Sequence, residues 1–287
     1  MLHQRAGGVG GAVEYHESWQ SDQSIDRSES AVPISYARSL TAHQRTPGAN
    51  RHLGVALAFV AGAINAGGYL AVREYTSHMT GIVSRAADHL ALGEADLVLG
   101  ALAALLSFVL GAACTAILVN YIRRRGLHSG YALPLLLEAT LLLVFGILGA
   151  RLAGVDAFFM PLTVMLLCFM MGLQNAVITK VSQAEIRTTH MTGIVTDIGI
   201  ELGKMAYWNG GDARQPRVAA NRARLGLMAS LLGAFCIGGV VGALGFKQLG
   251  YLSTVPLAAL LCVLAIVPVI DDALAVMGRQ GGARHKP

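Results

Sequence analysis

Charge is what this chain has least of. Asp, Glu, Lys and Arg make up 14% of its 287 residues, while 54% are apolar. Soluble domains carry about one quarter charged residues. The mean hydropathy of +0.55 therefore excludes an ordinary water-soluble globule and points to a membrane-embedded class. Aromatic residues are also sparse, at 6%. The four cysteines, Cys114, Cys168, Cys236 and Cys262, lie in apolar stretches without close pairs, which argues against a disulfide framework or a metal site. There is no Gly-x-Ser-x-Gly elbow, His-Glu-x-x-His helix, phosphate loop or Rossmann glycine pattern. The expectation is a non-enzyme without cofactor, and not an ATP-driven pump on its own. The net charge of +5 does not indicate nucleic acid, because the basic residues cluster in loops where membrane topology explains them.

What the chain does have is an internal repeat. His-Met-Thr-Gly-Ile-Val occurs at 78–83 and again at 190–195. Each copy follows an apolar stretch with an Asn-Ala pair, Asn65-Ala66 and Asn175-Ala176. Phe59, Gly62, Asn65 and Ala66 align with Phe169, Gly172, Asn175 and Ala176 without a gap. Further on, Gly111-Ala-Ala-Cys114 matches Gly233-Ala-Phe-Cys236. Glycine is abundant, at 34 residues, which suits close helix approach. Gly238, Gly239, Gly242 and Gly245 form a small-residue face for helix packing or a subunit interface.

A spanning helix needs about 20 mostly apolar residues. Six segments qualify: 53–72, 97–122, 131–152, 157–179, 225–246 and 252–270. Lys and Arg gather before the first (Arg38, Arg45, Arg51), after the second (Arg123, Arg124, Arg125), after the fourth (Lys180 to Arg224) and at the C-terminus. Bacterial positive-inside topology then puts both termini in the cytoplasm of an inner membrane. The segments opening with Thr80-Gly81 and Thr192-Gly193 are short and carry charge, and they read as re-entrant or interfacial helices rather than spans. Each unit thus has three spans, an odd number, so the second copy is expected upside down relative to the first. The expected fold is all-α: six transmembrane helices as two inverted three-helix repeats. Residues 51–152 form the first repeat and 153–272 the second. Residues 1–50, rich in Ser, Gln, His and Gly and without an apolar leader, read as a disordered cytoplasmic tail or as the product of a start codon placed too far upstream. Residues 273–287 form a second cytoplasmic tail.

The paired Met-Thr-Gly motifs, the Gly-Leu-Gln-Asn-Ala stretch at 172–176 and the six-span layout resemble the YoaK-type bacterial membrane family, a domain of unknown function. The match covers about residues 51–271. Ile82 departs from the family pattern, which has Asn after the first Thr-Gly. The resemblance implies an integral inner-membrane protein and names no substrate.

Candidate site residues follow from the repeat. Thr80-Gly81 and Thr192-Gly193 are expected to begin helices, with Thr capping and Gly allowing a tight turn or a close ligand. A free helix N-terminus attracts an anion, and two such ends dipping from opposite faces would meet at a midplane solute site. Plain caps at bends are the alternative. His78 and His190 are titratable at equivalent positions and suit proton relay, substrate contact or structural hydrogen bonding. No third ligand suggests a metal. Asn65, Asn175 and Gln174 carry amides within spans and suit either solute contact or interhelical bonding. Glu138, in the third span, is a candidate for proton coupling or for pairing with Arg123–Arg125. Three functions compete: a small-solute transporter or channel, a membrane-embedded enzyme acting on a lipid or quinone, and a non-transporting scaffold. Lipid, an unidentified small solute and a second copy of the chain are the expected partners.

Overall fold

A computed structural model describes residues 47–125, 130–152, 156–181, 191–210 and 217–265. These lie in one compact unit, Pro33–Pro287, while a second unit, Met1–Val32, falls outside the described residues. Both expected tails are outside them too, apart from 47–50. The described regular elements are all helical, because in lipid a helix satisfies every backbone polar group within its own segment. They are α1 (Pro47–Val72), α2 (Met79–Leu92), α3 (Ala95–Arg124), α4 (Ala132–Leu152), α5 (Asp156–Val181), α6 (Met191–Ala206) and α7 (Arg222–Leu249). A 3-10 turn, Gly250–Ser253, follows, and residues 254–265 form a terminal helix.

Among the described residues, five stretches are long and apolar enough to cross a membrane, where the sequence suggested six. The difference lies in the fifth, Arg222–Ala265, which is 44 residues long and takes in the last two expected segments. A straight helix of that length would reach about 66 Å, roughly twice the hydrocarbon core. The chain doubles back instead. Gly250 takes φ 59° and ψ −139°, a conformation open to glycine. Gly245 then lies against Ser253, and the Phe246 and Tyr251 rings are 6.3 Å apart. By contrast, α2 and α6 have 14 and 16 residues, about 21 and 24 Å, and fall short of a crossing.

Two helix pairs carry much of the packing, α1 with α7 and α3 with α5. Their glycines show how. Gly238 lies against the Phe59 backbone, Gly242 against Ala63 and Gly67 against the Phe246 ring. The numbers rise together, so α1 and α7 run parallel. Gly62 in turn meets the Phe235 carbonyl. The α3–α5 pair repeats this arrangement: Gly172 meets the Phe108 carbonyl and Gly111 the Phe169 carbonyl, while the Thr115 hydroxyl donates to the Leu173 carbonyl at 2.9 Å. All four helices therefore use a Phe-x-x-Gly spacing, with each glycine against its partner's Phe carbonyl. The contacts pair Gly111 with Gly238, five residues beyond the Gly233 suggested by matching letters, and Gly233 has nothing near it. They also place Gly238, Gly239, Gly242 and Gly245 in packing within the chain, the first of the two roles expected for that face.

α1 and α5 cross in opposite directions. The Gln174 amide donates to the Leu57 carbonyl at 3.3 Å, and Gly68 lies against Leu167, so one number rises as the other falls. Burial along 56–69 and along 166–179 is the same position by position. Outside this core, α3 exposes Leu102, Leu106, Val109 and Ile117, and α7 exposes Ile237, Val240, Val241 and Leu244. Apolar faces of that extent belong in lipid.

Candidate functional site

The first Thr-Gly segment is built on a reversal at the end of α1. Arg73 takes φ 56°, a left-handed conformation uncommon for a residue with a side chain. Its N–H returns to the Tyr69 carbonyl at 2.8 Å. The chain then comes back along its own helix, and the Ser77 hydroxyl donates to Asn65 Oδ1 at 2.8 Å. Asn65 lies seven residues before Val72, the last residue of α1, so the loop descends about 10 Å before α2 begins. Ile82, the buried residue of α2, clusters with Ala104 of α3 and Cys168 of α5. From there α2 runs outward to Gly93, whose φ of 77° closes the helix, and α3 returns.

The start of α2 differs from expectation. Its N-cap is His78, which makes no side-chain capping bond. Thr80 is the second helical residue and is exposed, so it does not cap. Gly81 lies under the His78 ring instead, which occupies the space a Cβ would take, and that exposed ring would have to shift to admit one. The His and Gly of the motif are thus a packed pair. Beside them lies a recess of about 270 Å³, lined by Tyr69, Arg73, Glu74, Tyr75, His78, Gly81, Ile82 and Arg85. Tyr69 and Tyr75 stack with ring centroids 4.5 Å apart, and Arg85 pairs with Glu74.

The second segment is placed alike and anchored differently. Thr192 and Gly193 lie in the first turn of α6, Thr192 is exposed and Ile194 is buried as Ile82 is. His190 falls outside the described residues. Glu201 ties α6 to α7: Lys204 donates to its Oε1 at 2.8 Å and the Asn221 N–H to its Oε2 at 2.7 Å. Asn221 in turn caps α7 by accepting from the Arg224 N–H at 3.0 Å. Arg224 also pairs with Asp197 at 3.1 Å. The hydrogen bond from Lys204, then that from Asn221, hold the Glu201 carboxyl below the ordinary carboxylate value. In the first segment the corresponding anchors are Arg85 with Glu74, and His89 with Glu94 at 2.6 Å. Where α2 offers Arg85 and His89, α6 offers Asp197 and Glu201.

The two segments do not share one recess among the described residues. The lining at the start of α2 comes from α1, the loop and α2, without Asn175, Thr192 or Gly193. Register across the α1–α5 crossing places Asn65 and Asn175 on either side of it, roughly 10 Å apart in depth. Asn175 is half-buried, and its backbone carbonyl accepts from the Thr179 hydroxyl at 2.7 Å.

Glu138 lies on the buried face of α4 with Leu135, Ala139 and Leu142, fully enclosed. Arg123, Arg124 and Arg125 are exposed, and neither carboxyl oxygen of Glu138 has a partner among the described residues. The expected alternative of an arginine pairing is thereby removed. No group of three potential metal ligands occurs among the described residues. Sequence reasoning missed Ser77 and Glu201. A hydroxyl just ahead of the hexapeptide, and an acid three residues before Lys204, were the available signals.

Five apolar stretches and two short helices beside the core define a multi-pass membrane protein. The chain belongs to the family described as "Protein of unknown function (DUF1275)", whose model matches residues 53–267. This agrees with the resemblance read from the paired motifs. No curated protein and no solved structure matches the chain.

Proposed function

We propose that this protein is a small-solute transporter or channel of the bacterial inner membrane, built from two inverted three-span repeats with both termini in the cytoplasm. The return of the chain to Asn65 through Ser77 carries the reading. It supports a re-entrant segment whose helix start, with its unbonded N–H groups, lies below the membrane surface beside a recess. The equivalent Phe-x-x-Gly crossings and the matching burial of α1 and α5 support the inverted repeat. The doubling back at Gly250 supports a sixth span. In this reading Asn65, His78, Thr80 and Gly81 line one half-path and Asn175, His190, Thr192 and Gly193 the other, with Glu138 as the proton-coupling group.

The test is flux into vesicles reconstituted with the purified protein, using a panel of small neutral, anionic and cationic solutes. Thr80→Val and Thr192→Val, both at exposed positions, are expected to keep the fold and to lose most of the flux. Unchanged flux in both variants would remove the motifs from the mechanism. A scaffold is the second reading, favoured by the close backbone packing of the glycine crossings. Absence of flux for every solute in the panel selects it. The enzyme alternative needs Glu138 beside His78 or His190, and Glu138 does not line the His78 recess.

A further inference from the structure

Three acceptor oxygens in the core have no donor among the described residues. They are both carboxyl oxygens of Glu138 and the side-chain Oε1 of Gln174, and both residues are fully buried. Such groups cost free energy unless something donates to them. Helix register brings them to one depth. α4 and α5 are joined by a short connection between Leu152 and Asp156, so they run antiparallel, and the Tyr131 hydroxyl donates to the Lys180 carbonyl at 3.1 Å. Counting from either end puts Glu138 level with residues 170–173, about one turn or less from Gln174. Gln174 spends its amide N–H on Leu57, which leaves its carbonyl as an acceptor.

The other elements packed on α4 bring no cation to that depth among the described residues. Thr115 of α3 gives its hydroxyl to Leu173. On the opposite side, Gly146 lies against Thr254 and Gly149 against Tyr251. This registers the terminal helix antiparallel to α4, with Cys262 nearest, a weak donor. A hard metal ion takes six or more oxygens, twice what is present. Water alone would leave a buried charge uncompensated. One proton answers the acid and the amide together, because it neutralises the carboxyl and turns one of its oxygens into a donor for Gln174 Oε1, leaving only a neutral carbonyl oxygen without a donor.

We propose that Glu138 and Gln174 form a buried proton site, in which Glu138 is the neutral acid and its O–H donates to Gln174 Oε1. On release the proton passes to water admitted to the core, leaving the carboxylate. Gln174 positions the acid and holds no charge itself. This rests on and deepens the transport reading by giving the proton-coupling group its hydrogen-bond partner and its resting protonation state, and that state stands apart from whether the protein transports.

Infrared difference spectroscopy of the purified protein at neutral pH is the test. Subtracting Glu138→Gln from wild type should reveal a carboxylic-acid C=O band. Gln174→Met, similar in volume, should shift that band upward as the acid loses its acceptor, and Glu138→Asp, one methylene shorter, should shift it likewise. A carboxylate band in wild type at neutral pH, or one that appears on adding sodium, overturns the proposal. So does an acid band that neither variant moves. If the band behaves as expected while Glu138→Gln transports as wild type does, the proton site stands and the coupling role within the transport reading fails.

Discussion

Glu201 shows how one side chain can fasten an element. Its two oxygens each take a donor, one from Lys204 on its own helix and one from the backbone of Asn221 on the next. Those donors favour the charged form, so its folded pKa lies below the ordinary 4.5. A lowered value means that the unfolded chain binds more protons in acid. The stabilisation is complete above pH 4.5 and is lost as pH falls through the folded value. Hydrogen-exchange protection in α6 and in the first turn of α7 is expected to drop below about pH 4.5. Glu201→Gln should lower that protection at neutral pH and abolish its acid dependence. Protection that is flat with pH in the wild type would contradict the account.

At the scale of elements, the glycine crossings decide which helices pair. A Cβ on Gly62 would meet the Phe235 carbonyl, and one on Gly172 the Phe108 carbonyl, both far inside contact distance with backbone. Backbone cannot step aside as a flexible side chain can. Gly62→Ala and Gly172→Ala are each expected to destabilise the protein by about 1–3 kcal/mol, and by similar amounts. Gly233→Ala, with nothing near it, should be neutral or slightly stabilising. Thermal unfolding in one detergent checks the set. The apolar spans and the repeated hexapeptide were legible in the sequence, because hydropathy is local and repeated letters mark a duplicated unit. The crossings were not. Glycine is frequent throughout the chain, and which glycine faces a backbone depends on a partner helix far away in sequence. Matching Gly111 to Gly233 followed the letters, whereas contact with Phe169 and Phe59 picks out Gly111 and Gly238.

For the whole molecule, the proposed inverted arrangement predicts two faces. Ser84 in α2 and Thr196 in α6 are both exposed. Single cysteines there, in a background lacking the four native cysteines, should react with a membrane-impermeant maleimide from opposite sides of the membrane. Labelling from one side for both would overturn the inverted reading. Only part of the candidate site could be read ahead. The Asn-Ala pairs stand out as amides in apolar runs, but the Ser77 tether depends on a loop that reverses at Arg73. Thr80 looked like a cap from composition, yet the helix starts one residue before it, at Met79. Glu201 looked like one charge among several near a surface, and its burial depends on α7 folding over it.

The pairing of α1 with α7, and of α3 with α5, also bears on how the chain is made. Each pair takes one helix from either half of the sequence. When the ribosome has finished residue 152, α1 has no Phe-x-x-Gly partner, because Phe235 and Gly238 are not yet synthesised. The first half must wait in the bilayer with its glycine groove unfilled. Severing the gene between 152 and 156 should therefore give two fragments that are short-lived when expressed alone. Expressed together, they should protect one another from degradation and purify as a single complex.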